Sequence, residues 1–189
     1  LRGRCADCGQ RIAARYPAVE LLTALVALLV YLRFGYSLET LAALILSFAL
    51  IALAFIDLEH QLLPDAITLP MIWLGLLQSL FPVFTDSHAS IVGAVSGYLT
   101  LWLVFQLFRL VTGKDGMGFG DFKLLALLGA WLGAAMLPQI VLLSSLGGAS
   151  VGLTLLTLKR LKPGTPIPYG PFLALAGWLT LMLGDVIGQ

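Results

Sequence analysis

Residues 124–158 read LLALLGAWLGAAMLPQIVLLSSLGGASVGLTLLTL, 35 consecutive positions without a charged side chain. One helix of that length would measure about 52 Å at about 1.5 Å per residue, too long for a single crossing of a hydrocarbon layer about 30 Å thick. Pro138-Gln139 is the expected break, giving two spans, Phe122–Leu137 and Gln139–Leu158. On the N-terminal side, further apolar spans are expected over Ser90–Val111, Ala66–Phe84, Thr40–Ile56 and Pro17–Phe34. On the C-terminal side, the basic, proline-rich loop Lys159–Tyr169 leads into a last span, Pro171–Ile187. The expected fold is all-α, a polytopic membrane helix bundle of seven transmembrane helices.

Composition agrees. Hydrophobic residues make up 59% of the 189 and charged residues 11%, against about 45–50% and about 25% in soluble domains. That excludes an ordinary soluble enzyme. No hydrophilic block is long enough for a separate soluble domain, so two parts are expected: a cytoplasmic Cys-x-x-Cys segment, 1–16, and a transmembrane domain, 17–189.

Charge placement orients the bundle, because cytoplasmic loops collect Lys and Arg. With the N-terminus in the cytoplasm and the spans alternating, Arg2, Arg4, Arg11, Arg15, Arg109, Lys114, Lys123, Lys159, Arg160 and Lys162 fall on the cytoplasmic side, and only Arg33 falls opposite. The same alternation places Asp57, Asp65 and Asp121 at the cytoplasmic face.

Carboxylates beside apolar spans are costly and mark functional positions. Asp57 ends the second expected span; Asp121 opens the fifth, behind Gly116, Gly118 and Gly120. Alternating glycines let a backbone bend tightly, and room for an extended peptide is expected beside these three. A helix N-terminus favours an ionised Asp121, whereas the C-terminal end and the neighbouring Glu59 favour a protonated Asp57. Two carboxylates of unequal acidity are the pattern of an aspartic protease, with Asp121 expected as the base on water and Asp57 as the acid. The competing structural roles are a helix cap for Asp121 and Asp65, an interfacial charge for Asp57, a surface site for His60, and close helix packing for Gly129-x-x-x-Gly133. Lys123 reads as an interfacial anchor that helps to keep Asp121 charged.

Phe55-Ile-Asp57-Leu-Glu-x-x-x-Leu-Pro64-Asp65 and Gly118-Phe-Gly120-Asp121-Phe-Lys123 resemble the two signature motifs of the bacterial type IV prepilin peptidases, membrane aspartic proteases of the Gly-x-Gly-Asp class. Leu1-Arg-Gly-Arg-Cys5-x-x-Cys8, Tyr16-Pro17-x-Val19-Glu20 and Pro168-Tyr-Gly-Pro171-Phe-Leu-Ala174 extend the resemblance over nearly the whole chain. It implies Asp57 and Asp121 as catalytic residues. It also implies cleavage of the basic leader from type IV prepilins or type II secretion pseudopilins, ahead of their hydrophobic segment, at the cytoplasmic face of the bacterial inner membrane. N-methylation of the new terminus by S-adenosyl-L-methionine is a further implied activity; the residues that would hold that cofactor are not named by any motif. The expected partners are these substrates and membrane lipids, with no nucleic acid.

Longer family members carry a further span and a second Cys-x-x-Cys pair ahead of the one here, so Cys5 and Cys8 are expected to be half of a four-cysteine zinc site, and the chain reads as lacking that preceding part. Glu20 is an acidic candidate near the interface that also suits pairing with an arginine. Two readings from other classes compete: a proton-coupled transporter using Asp57 and Asp121 as its relay, and a noncatalytic subunit of a secretion assembly. Within the enzymes, the runner-up is a presenilin-like or archaeal preflagellin-type relative.

Overall fold

The structure is a computed structural model that describes residues 13–113, 116–158 and 167–187; Cys5 and Cys8 lie outside the described residues. Among these there are seven α-helices and no strand: α1 (Arg15–Phe34), α2 (Leu38–His60), α3 (Asp65–Gln78), α4 (Ser87–Thr112), α5 (Phe119–Leu132), α6 (Leu137–Thr157) and α7 (Gly170–Ile187). A short 3-10 turn, Ala134–Met136, separates α5 from α6. The all-α expectation holds. The chain forms two compact units, Leu1–Ser47 and Phe48–Gln189, and both carboxylates of interest belong to the second. In the first, α1 gives way to α2 through a tight turn: Gly35 takes φ 65, and Ser37 Oγ accepts the Thr40 N–H at 3.2 Å.

The second unit is built around α5. Every residue from Asp121 to Leu132 is buried except Lys123. Three neighbours enclose this helix, and small residues let them in. Gly93 of α4 and Gly129 of α5 meet backbone to backbone: a Cβ on either would stand 2.2 or 2.1 Å from the other's carbonyl oxygen. Such contact needs glycine on both sides. Ser90 of α4 adds a hydroxyl that donates to the Ala130 carbonyl at 2.6 Å. On the α3 side, the Trp131 indole lies over Gly75, where a Cβ would come within 2.6 Å of the ring, and its Nε1 donates to the Met71 carbonyl at 2.8 Å. On the α7 side, Leu128 fills the space beside Gly177.

Several boundaries differ from expectation. The uncharged run breaks at Gly133, which takes φ 85 and ends α5, not at Pro138. Pro138 sits instead in the first turn of α6, where its missing N–H costs nothing. Gly133 thus ends the helix and also packs closely, since a Cβ there would meet Thr85 Oγ1 at 2.7 Å and Ala89 of α4 at 3.5 Å. The third helix stops at Gln78 instead of reaching Phe84. The turn that follows is held by Ser79 Oγ on the Leu76 carbonyl at 2.7 Å and by Ser87 Oγ on the Ser79 carbonyl at 2.9 Å. Asp86 then caps α4, accepting the Ala89 N–H at 3.0 Å.

Among the described residues, four helical stretches are long and apolar enough to cross a membrane: Arg15–Phe34, Leu38–His60, Ser87–Thr112 and Ala134–Thr157. Helices α3 and α5 have 14 residues each, about 21 Å. Length and composition thus account for four of the seven expected spans.

Candidate active site

Asp57 lies in the last turn of α2, which closes when the Gln61 N–H donates to the Asp57 carbonyl at 2.9 Å. Gln61 takes φ 50 and turns the chain toward Leu63, whose side chain is buried. Asp121 lies in the first turn of α5, three residues after Gly118, which occupies the cap position with extended backbone. Asp121 is not a cap. Its orientation comes from an aromatic cluster on both sides of it: Phe119 and Phe122 stand 5.5 Å apart and both pack on Phe105 of α4, at 5.5 and 5.6 Å, while Tyr98 meets Phe122 edge-on at 5.9 Å. Aromatic contacts of this geometry fix ring positions beyond what area burial does.

The two carboxylates, 6% and 7% exposed, line one cavity of about 870 Å³. A third stretch completes it. The backbone N–H of Gly170, first residue of α7, donates to Asp57 Oδ2 at 3.0 Å. The first N–H groups of a helix have no partner within it, so the start of α7 supplies a free donor. A Cβ at Gly170 would lie 2.7 Å from that same oxygen, so a larger residue at 170 would displace the carboxylate. The preceding residue, Tyr169, is tied to α6 through its hydroxyl, 2.7 Å from Ser144 Oγ and 3.2 Å from Ser145 Oγ.

Asp121 stands ahead of the uncharged run and outside the four long apolar helices. Burial, and then the nearby charge of Asp57, push its carboxyl up to about 7, against a smaller opposing effect from the Gly118 N–H. This overturns the expectation that the helix N-terminus keeps Asp121 ionised. The helix dipole contributes about 0.3–1 kcal/mol at such a position. Holding a carboxyl near 7 instead of 3.8 represents on the order of 4 kcal/mol, so burial decides. Lys123 does not offset it: its Nζ is engaged by Asp65 Oδ1 at 2.6 Å. Asp65 is accordingly an ion-pair partner across α3 and α5, and Pro64 occupies the cap position expected for it. His60 is exposed, 3.9 Å from Glu59.

Gly116, Gly118 and Gly120 all line the cavity, but the room beside them is uneven. Leu63 takes the space next to Gly120 and the Phe108 ring that next to Gly116. Only Gly118 keeps open space, with Asp121 Oδ2 3.8 Å from where its Cβ would be. Sequence reasoning missed Gly170 and Tyr169 as contributors to the site. The signal was present in Pro168-Tyr-Gly-Pro171, a glycine held between prolines at the start of a long apolar helix. Among the described residues no group of three or more His, Cys, Asp or Glu side chains is placed to hold a metal ion.

The family model described as the type IV leader peptidase family matches residues 44–153, which contain both carboxylates. The chain belongs to the type IV leader peptidase family. A second model, the bacterial peptidase A24 N-terminal domain, matches residues 1–34. Among curated relatives, the prepilin leader peptidase/N-methyltransferase of Pseudomonas aeruginosa is 52% identical over 99% of this chain and 64% of its own length. The proteins of the same name from Pseudomonas putida and Aeromonas hydrophila are 54% and 53% identical over 99% of this chain, covering 65% and 64% of their own lengths. The chain thus spans a little under two thirds of the relatives it matches. No solved structure matches it. Four long apolar helices together with this family make the chain a membrane protein.

Proposed function

We propose that this chain is the peptidase part of a membrane aspartic endopeptidase that removes the basic leader from type IV prepilins or type II secretion pseudopilins. The observation that carries the reading is the pair of buried carboxylates on one cavity, one of them bonded to a backbone N–H and the other with its carboxyl raised to about 7 by burial. In this reading Asp57, ionised, takes a proton from a water molecule as it attacks the scissile carbonyl. Asp121, protonated, delivers its proton to the departing amide nitrogen. The roles are the reverse of those that helix polarity alone assigns. The two carboxyls share one proton and titrate as a unit.

Seven spans cross the bacterial inner membrane in this reading, the fifth beginning after Asp121, with the N-terminus and the cavity at the cytoplasmic face; the ten-to-one distribution of basic residues supports that orientation. Gly118 provides the open side of the cavity for the substrate backbone, with Gly116 and Gly120 shaping the loop around it. Residues 1–16 form a cytoplasmic segment in which Cys5 and Cys8 supply two thiolates. Structural zinc takes four ligands, so this pair is half of a site and no chemical step passes through it. The relatives' name includes N-methyltransferase, and S-adenosyl-L-methionine would supply the methyl group for the same activity in the complete protein.

Incubation of the full-length protein with a prepilin, with and without S-adenosyl-L-methionine, tests this by mass spectrometry of the products. Leader release is expected in both cases. Asp57→Asn and Asp121→Asn are each expected to slow it by a factor of about 10³ or more. The rate is expected to fall on the alkaline side as pH rises through about 7, where Asp121 loses its proton. An Asp121→Asn protein that still processes its substrate would hand the function to a noncatalytic role in assembly.

A further inference from the structure

Beside the carboxylate cavity lies a second hollow of about 400 Å³, lined by Leu101 and Val104 of α4, Val141 and Gly148 of α6, and Phe172 of α7. α4 packs chiefly on α5, and α6 chiefly on α7, so the hollow occupies the interval between two long apolar helices. Val104 at its edge is 51% exposed. Leu101 lies on α4 between Tyr98 and Phe105, which both pack on Phe122 beside Asp121, so the hollow lies alongside the carboxylates within an apolar stretch of the bundle. The hollow and the carboxylate cavity share one wall: Met117, Ile167, Pro168 and Tyr169 line both.

We propose that this interval is the docking groove for the apolar segment of a membrane-anchored substrate, whose adjoining backbone crosses the shared wall to reach Asp57 and Asp121. The inference rests on the peptidase reading and specifies how that site selects its substrate. Continuity carries it. An occupant of the groove alone needs only hydrocarbon; an occupant of both hollows needs an apolar stretch joined directly to a polar backbone. A lipid tail meets the first requirement and has nothing to place between the carboxylates. The α6 side of the groove also suits a peptide, because Gly148 and the exposed Ala149 present a low surface on which another backbone can lie close.

The groove can be filled without disturbing the bundle. A Cβ at Gly148 would meet the Phe172 ring at 3.6 Å, an ordinary contact, so Gly148→Leu places its added carbons in the hollow. The experiment uses the full-length protein and two substrates with the same scissile bond. One is a precursor with its apolar segment; the other is a soluble peptide in which serines and glycines replace that segment. Gly148→Leu is expected to raise KM for the precursor about tenfold and to leave that for the soluble peptide within about twofold. Equal effects on the two substrates, or none on either, overturn the groove. Wild-type protein that cleaves neither refutes the peptidase reading and the groove with it.

Cross-linking supplies a second readout that does not depend on turnover. With Asp121→Asn retaining the precursor uncut, a photoreactive side chain at Val104 is expected to capture its apolar segment, and one at Leu77, an exposed residue of α3 that does not line the hollow, is not. Capture at Leu77 and not at Val104 overturns the proposal.

Discussion

All of α6 and most of α5 come from one uncharged run, and the two helices have opposite surroundings. From Asp121 to Leu132, α5 exposes only Lys123; over its 21 residues α6 buries only Leu137, Ile140, Ser144 and Gly152. Their apolar content does not distinguish them. The difference lies in small residues on the neighbours. Gly93, Gly75 and Gly177 each leave a space that α5 occupies with backbone, indole or leucine, whereas Gly147 and Gly148 of α6 meet only the Phe172 ring, at ordinary distance. Hydropathy reports what a helix tolerates around it. Whether protein or lipid provides those surroundings is decided by whether a partner backbone can come close.

The sharpest way to break the comparison is to change side-chain bulk on each helix, adding it on α5 and removing it on α6. Gly129→Val drives a branched side chain into the Gly93 carbonyl. It is expected to cost about 3 kcal/mol or more, because neither backbone can withdraw without separating α4 from α5. Leu146→Ala, at a position 60% exposed on α6, is expected to change stability by no more than about 0.5 kcal/mol. Thermal unfolding in detergent or lipid discs reads both. Equal losses in the two variants would mean that α6 is as enclosed as α5.

The same contrast explains what could be read in advance. Long uncharged stretches are local features, so the existence of the helices and the two carboxylates at their ends were legible. Three features were not, each because its cause is distant in the chain. The break at Gly133 depends on a backbone turn that Pro138, tolerated in a first helical turn, does not announce. The ionisation of Asp121 is set by burial and by the nearby Asp57, which together outweigh the local dipole. The N–H that Asp57 receives comes from Gly170, 113 residues away. Glycine patterns were visible, but only packing distinguishes Gly129, pressed on a backbone, from Gly118, which faces open space.

A smaller change probes the α3 side of α5. Trp131→Phe keeps an aromatic ring over Gly75 and removes the Nε1 donor to the Met71 carbonyl. The expected cost is about 1–2 kcal/mol for a buried hydrogen bond, read as a lowered unfolding midpoint with cleavage retained at permissive temperature. Trp131→Phe with unchanged stability would show that the indole acts through its shape alone and that the bond to α3 is incidental.

The smallest effect is expected where α5 meets water. Lys123 is the one residue of its buried stretch that is not enclosed, and its bond to Asp65 links the first turns of α5 and α3. The pair is partly exposed, at 27% and 55% for the two side chains, so solvent screening limits what it contributes. Asp65→Asn is expected to cost about 1 kcal/mol or less, and that difference should vanish in about 1 M salt, where charges are screened within about 3 Å. The Gly129→Val and Trp131→Phe losses should persist in the same salt, because they arise from enclosed contacts without net charge. A salt-insensitive Asp65→Asn loss would place this ion pair with the enclosed contacts and extend the dry surroundings of α5 to its first turn, where Asp121 stands.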